Sequence, residues 1–325
     1  SDEPIPGIAW EYEMVQQLLP MISVDMLNQI AQSLVTDENL VISFQAPEDE
    51  KNVLPTEAEA IELLAAVKNE EIEAPVEEVL RENLVEKAPK TGKIKKTAYN
   101  ETLGTTEWTL SNGVRVVVKP TTFKQDEILF YAFSQGGNSL VATIDLPSAA
   151  LATSVVELGG LADMSATDLQ KALTGKRVSL SPSISEYSES MNGASTVKDL
   201  ETLLQLNYLF FTAPRRDEES FQTLISILSS QLANRDKNPK VAFSDSVQMM
   251  ASDHSERTMI LNKEMLEKVS LDKALEIYKA RFANPADFIF FFVGNVDPND
   301  EAFQMQVRTW LGGLKTSKKM EKAAD

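Results

Sequence analysis

At 325 residues with 43% hydrophobic side chains, the chain is long enough for one large domain or two smaller ones. Its 49 acidic and 31 basic residues leave a formal net charge of −18. That argues against nucleic-acid or anionic-membrane binding, which needs a concentrated basic surface. There is no cysteine, which excludes disulfides and thiolate metal sites, and no run approaches the ~18 apolar residues of a membrane span.

The chain opens Ser-Asp-Glu-Pro, with neither Met nor an apolar signal segment, and reads as a processed or excised piece. Residues Ile8–Leu19 place Ile8, Trp10, Tyr12, Val15, Leu18 and Leu19 at helical spacing, and Pro20 stops the helix. Ser23 then caps a second helix with Asp25 in its first turn and Val24, Leu27, Ile30, Ala31 and Leu34 on one face. Asn39–Ala46 reads as a strand closed by Pro47. Over 48–90 the composition turns to 13 acidic and 5 basic residues, the signature of a solvated face. Thr56 and Glu59 form a capping-box pattern there, and Pro75 opens a short helix over Val76–Leu84. Pro89 to Asn100 is basic, polar and unpatterned, so 48–100 reads as a linker.

Glu107–Lys119 is a hairpin, with Asn112-Gly113 supplying two positive-φ turn positions between β-branched and apolar runs. A third strand, Glu127–Ser134, ends at Gly136-Gly137, and a helix over Ser148–Leu158 ends at Gly159-Gly160. Ser165 and Asp168 cap a short helix that stops at Gly175. Two Ser-rich strands, Lys176–Ile184 and Tyr187–Ser195, turn near Ser185-Glu186. Helices follow over 199–214, Asp217–Arg235 and about Lys240–Ala251. Ser270 caps a helix running to Phe282, and Asp287–Gly294 is a strand aromatic enough for burial on both faces. Asp297-Pro298 opens a last helix to about Leu311, before a Lys-rich tail that frays from Lys315.

Two segments match. Ser23–Phe44 and Ser270–Phe291 are each a Ser-capped helix, an Asp/Asn turn and an apolar strand, which align with one residue of slack. On that match, residues 1–50 are the tail of one unit and 105–312 a complete second one.

Chemistry is sparse. The single histidine, His254, lies in a polar run after a helix, and one His cannot build a catalytic zinc site that needs two or three. It reads as an exposed loop or helix-end residue. No Gly-x-Ser-x-Gly elbow or phosphate-binding glycine loop occurs. Asp297–Glu301 lacks the spacing of a Ca²⁺ loop and reads as helix-N-terminal acids. The hydroxyls of the Ser-rich hairpin admit two readings, a peptide-binding strand or a solvated sheet face. On the first, Ser181, Ser183, Ser185 and Tyr187 are the contact residues.

The order of elements resembles half of a pitrilysin-type (insulinase-family) zinc metallopeptidase. The likeness rests on Leu110-Ser-Asn-Gly113-Val-Arg-Val-Val-Val118, on Val178–Ser195 with its Ser-x-x-Met-Asn-Gly, on Asp199–Pro214, and on Ser270–Asp297 with Gly294-Asn-Val-Asp-Pro298. It implies an α+β fold, an antiparallel-rich sheet with helices packed on one face, preceded by a partial helical unit and a linker. The implied domains are 1–47, the end of a preceding unit; 48–104, an acidic linker with short helices; 105–312, a complete unit; and 313–325, a basic tail. The family's catalytic unit carries His-x-x-Glu-His on the helix that corresponds here to Ser148–Leu158. That helix has no His, and Glu157 is its one acid. No catalytic, cofactor-binding or metal residue therefore carries over, and the resemblance assigns zinc to a catalytic half of the parent. The implied role is a non-catalytic portion of a zinc endopeptidase that lines a chamber and contacts unfolded peptide. Its partners would be the other units of the same polypeptide or a catalytic partner subunit, in a periplasmic or cell-envelope setting. An acidic chamber wall would favour basic peptides. The alternative is a scaffold or partner subunit of the same fold without peptidase activity.

Overall fold

A computed structural model describes residues 7–34, 36, 40–45, 54–68, 70–71, 81, 83–233 and 235–317. The chain forms two compact units, Ser1–Glu77 and Glu78–Asp325.

In the first unit, α1 (Ile8–Leu18) runs into a 3-10 turn, Leu19–Met21, and is followed by α2 (Val24–Leu34) and α3 (Glu57–Lys68). Ser23 Oγ accepts from the Met26 N–H at 3.2 Å, so the expected cap of α2 forms. The Thr56–Glu59 capping box also forms: the Glu59 N–H donates to Thr56 Oγ1 and the Thr56 N–H to the Glu59 carboxylate. The expected strand does not. Residues 40–45 belong to no strand, because no β-strand lies beside them among the described residues of this unit, and a strand needs a neighbour for its backbone groups. Most of the helix expected over Val76–Leu84 lies outside the described residues; Leu84 itself is buried in the core of the second unit.

The second unit holds β1 (Ile94–Asn100), β2 (Thr105–Leu110), β3 (Arg115–Pro120), β4 (Ile128–Gln135), α4 (Leu146–Ala150), α5 (Ala152–Gly159), α6 (Ala166–Ala172), β5 (Val178–Ile184) and β6 (Ser188–Ser195). These are followed by α7 (Leu200–Thr212), α8 (Glu218–Leu232), α9 (Pro239–Ala251), α10 (Lys263–Glu267), α11 (Leu271–Arg281), β7 (Ile289–Gly294) and α12 (Glu301–Trp310). One seven-stranded sheet runs β1-β2-β3-β7-β4-β6-β5. Among the described residues, β3 and β7 pair in parallel and the other pairings are antiparallel. The fold is thus the expected α+β, antiparallel-rich sheet.

Helices cover one face of that sheet. Trp108, Val116, Val118, Phe130, Met191, Phe290 and Phe292 point into this core. Phe211 on α7 meets Phe288 with ring centroids 5.1 Å apart, and Phe303 on α12 meets Phe292 at 5.4 Å. Each such ring contributes roughly 1.5–3 kcal/mol by leaving water.

Several elements differ from expectation. β1 arises from the stretch read as unpatterned linker; it is a polar edge strand whose lysines guard it, so it shows no alternation. At the hairpin only Gly113 takes positive φ (91°). The Gly113 N–H donates to Leu110 O and the Leu110 N–H to Val114 O, a type I turn closed by a left-handed glycine. Asn112 instead spends its side-chain amide on Leu311 O and Leu314 O, 2.9 and 3.0 Å away. The start of the tail is likewise held, Thr316 Oγ1 donating to Asn112 O and the Ser317 N–H to Asn284 Oδ1. The helix expected over Ser148–Leu158 breaks at Leu151 (φ −109°, ψ 2°) into α4 and α5. β7 is buried on its helix side but only half-buried on the other.

Candidate peptide-contact surface

That half-buried side of β7 belongs to a sheet face that, among the described residues, no helix covers. Cross-strand partners in a sheet share a face. The register therefore lays three rows across it. One runs Ser181, Asn192, Tyr131, Phe291, Val117, Glu107. The next runs Ser183, Ser190, Phe133, Ile289, Arg115, Thr109, and the third Ser179, Ala194, Leu129, Val293, Lys119. The face grades from hydroxyls and an amide on β5 and β6, through aromatic and aliphatic groups on β4 and β7, to charged groups on β3 and β2. Leu129 is 48% and Tyr131 39% exposed, and Tyr131 sits 6.0 Å from Phe291 and 6.4 Å from Phe133 between ring centroids. The charged end of this face carries Arg115 and Lys119 beside Glu107, so the chain's acidity is not concentrated there.

The four hairpin residues divide by role. Ser181 and Ser183 expose their side chains within β5. Ser185 lies in the turn, where its hydroxyl donates to Ser188 O and accepts from the Ser188 N–H, so it shapes the hairpin. Tyr187 is 54% exposed at the tip, and its hydrogen bond to Glu186 raises the phenol's pKa. The tip is pinned from behind: the N–H groups of Gly136, Asn138 and Ser139 donate to the carbonyls of Tyr187, Ser185 and Glu186. Gly137 permits this approach, since a Cβ there would lie 2.4 Å from Ser188 N and 2.5 Å from Ser185 O.

Helices α4 and α5 occupy the place where the sequence resemblance locates a zinc helix. The donor set there does not fit the metal. Residues 146–159 contain no His, and among the described residues no cluster of three or more His, Asp or Glu side chains could hold an ion. Glu157 is exposed as a residue, yet burial pushes its carboxyl above the ordinary carboxylate value, partly offset by a hydrogen bond from Ser181. His254 is an exposed loop residue at φ 54°.

The open aromatic strip on β4 and β7 is the surface feature that sequence reasoning missed. Its signal was the unbroken apolar runs Ile128–Phe133 and Ile289–Val293, which announce two apolar faces without saying that only one is covered.

No protein-family model matches the chain. A zinc protease PQQL-like protein of Arabidopsis thaliana is 28% identical over 298 residues, 91% of this chain and 29% of that protein. The crystal structure of the periplasmic protease PqqL from Escherichia coli superposes with a TM-score of 0.66 at 21% identity, covering 100% of this chain and 36% of the other. A peptidase M16 inactive domain from Pseudomonas fluorescens gives a TM-score of 0.52 at 16% identity over 68% of this chain and 54% of its own. The chain therefore spans about a third of the length of the first two proteins it matches.

Proposed function

From a chain that carries the pitrilysin-type (M16) peptidase-unit fold and matches zinc proteases of that type, we propose that 105–312 is a non-catalytic unit of a zinc endopeptidase, forming chamber wall and contacting unfolded peptide. Residues 1–47 are read as the end of a preceding unit, 48–104 as a linker whose last part, β1, joins the second unit's sheet, and 313–325 as a tail whose first residues are tied to that unit. The similarity to an inactive M16 domain and the lack of zinc ligands on α4–α5 support the non-catalytic role. The open face supports the contact role: an aromatic strip flanked by hydroxyls takes up extended chains of varied sequence, since rings supply area and hydroxyls supply adaptable hydrogen bonds. Ser181, Ser183 and Tyr187 border that strip, with Ser185 holding the turn between them. The partners are the remaining units of the protease, which would hold the zinc, and a polypeptide substrate. The setting is the periplasm or cell envelope, as for the solved PqqL; no helix among the described residues is long and apolar enough to cross a membrane.

The carrying observation is the strip of exposed Leu129 and Tyr131 with half-buried Phe291 beside them. Binding of a fluorescein-labelled unstructured peptide to the whole chain tests it. Replacing Tyr131→Ala should weaken binding about tenfold, the scale of a central aromatic contact. Equal binding by native chain and variant sinks the surface assignment. No binding by either favours the scaffold reading.

A further inference from the structure

Every arginine of the chain lies among the described residues, and every one except Arg115 holds a carboxylate or a backbone carbonyl with its guanidinium. The Arg115 guanidinium has no such partner. In a chain with 49 acidic residues that is the exception, and it falls on the open face of the sheet. Arg115 is exposed on β3, opposite Thr109 of β2, and Thr109 is in turn opposite exposed Lys96 of β1. Cross-strand partners share a face, so a guanidinium, a hydroxyl and an ammonium stand in one row with Thr109 in the middle. Among the described residues, neither the Thr109 hydroxyl nor the Lys96 ammonium has a hydrogen bond or ion pair of its own. Lys119, the next cation along β3, is spent on Leu103 O. Glu107 lies one row away, between Ala98 and Val117, and pairs with neither Arg115 nor Lys96.

The middle of this row suits a carboxylate. Arginine presents parallel N–H groups to both carboxylate oxygens, the hydroxyl between the cations donates, and the ammonium closes on the far side. Continuing the row in the other direction leads to Ile289 and Phe133, and Phe133 lies 6.4 Å from Tyr131 between ring centroids. Thr109 and Phe133 are three strand spacings apart, about 14 Å, and four residues of extended peptide cover about 13 Å with both end side chains on one side. A peptide laid across the strands thus places an apolar side chain on the strip and an acid over Thr109 together. We propose that Arg115, Thr109 and Lys96 form a subsite for a side-chain carboxylate of the bound polypeptide, so that this unit favours an Asp or Glu four residues from an apolar anchor. The proposal rests on the peptide-contact reading of the unit. It reverses locally the preference for basic peptides that the net charge suggests, because a ligand in contact responds to groups within about one Debye length, roughly 10 Å at 0.1 M salt.

The test uses the whole chain and three unstructured peptides, amidated at the C-terminus and carrying a neutral dye. Each has one Phe and, four residues on, Glu, Gln or Lys. The native chain should bind the Glu peptide about five-fold more tightly than the Gln peptide, the upper range for an exposed ion pair, and the Lys peptide no better than Gln. Arg115→Gln should bring the Glu-to-Gln ratio to about one while leaving affinity for the Gln peptide unchanged, and Lys96→Gln should lower the ratio in part. Tyr131→Ala should weaken all three peptides and keep the ratio. Equal binding of the Glu and Gln peptides by the native chain overturns the subsite and leaves the peptide-contact reading standing. A preference that persists in Arg115→Gln, or tighter binding of the Lys peptide, overturns it as well. Binding of none of the three removes the contact reading, and the subsite with it.

Discussion

Two helix-then-strand segments of this chain share a pattern and meet opposite fates. α2 and α11 are each 11 residues long, and each follows a serine whose hydroxyl accepts from the N–H three residues on, Met26 in one and Lys273 in the other. Ile30 and Ile277 stand seven residues after those serines. Yet Ile277 is 6% exposed and Ile30 55%. Beyond α11, the chain becomes β7, held between β3 and β4. Beyond α2, residues 40–45 make no strand, and Val41 is 88% exposed. Local chemistry builds a capped amphipathic helix in both places. Whether it stabilises a fold depends on a surface to cover, since most helical stability in proteins comes from packing the apolar face.

Substitutions at matched positions can break that comparison. The largest difference is expected at the isoleucines. Ile277→Ala should destabilise the second unit by about 2–5 kcal/mol, as deletions in a packed core do. Ile30→Ala should shift stability by no more than about 0.5 kcal/mol, as surface changes do. Urea unfolding followed by the fluorescence of buried Trp108 and Trp310 reports the second unit, and similar losses from both variants would remove the contrast.

The caps come next. Ser270→Ala should cost about 1 kcal/mol of the same transition, the usual penalty for losing an N-cap hydroxyl. Ser23→Ala should reduce helical circular dichroism slightly and leave the tryptophan transition where it was. A shift of that transition by Ser23→Ala would show that α2 is coupled to the second unit's core.

The smallest effect lies in the seat that α11 occupies and α2 lacks. Glu157 on α5 has its carboxyl raised above the ordinary value by burial, and its charge adds to the burial that pushes the Tyr278 phenol of α11 well up. A raised carboxyl favours the folded state fully below its unfolded value and loses that contribution as pH rises through the folded value. Glu157→Gln, which never ionises, should therefore melt slightly higher than the native chain at neutral pH and equally in acid. Melting temperature across pH reads this directly; a lower Tm for the variant at neutral pH would mean that the Ser181 contact outweighs the desolvation.

The sequence showed much of the second unit's element order because its signals are local. Asp217 and Ser270 cap helices, Gly113 ends a turn, and Pro298 precedes the last helix, though that helix starts only after Asp300. It missed β1, whose polar residues follow no alternation because neither of its faces lies in the core. Of the candidate site, the hydroxyls of Ser181 and Ser183 were legible as an exposed strand face, while Ser185 was not separable from them. Its role depends on Ser188 and on the Gly136–Ser139 loop about fifty residues earlier.

By itself the sequence determined which segments can form helices and strands, that α4–α5 has no ligands for zinc, and that two segments share a local pattern. Each of these depends on residues within a few positions of one another. The tertiary structure alone decided which face of the sheet the helices cover, leaving Tyr131 and Phe291 open, and which of two like helices is buried. Those outcomes follow from strand register and from the order of strands in the sheet, where one step of register exchanges the two faces of a strand and the inner and outer sense of its backbone bonds.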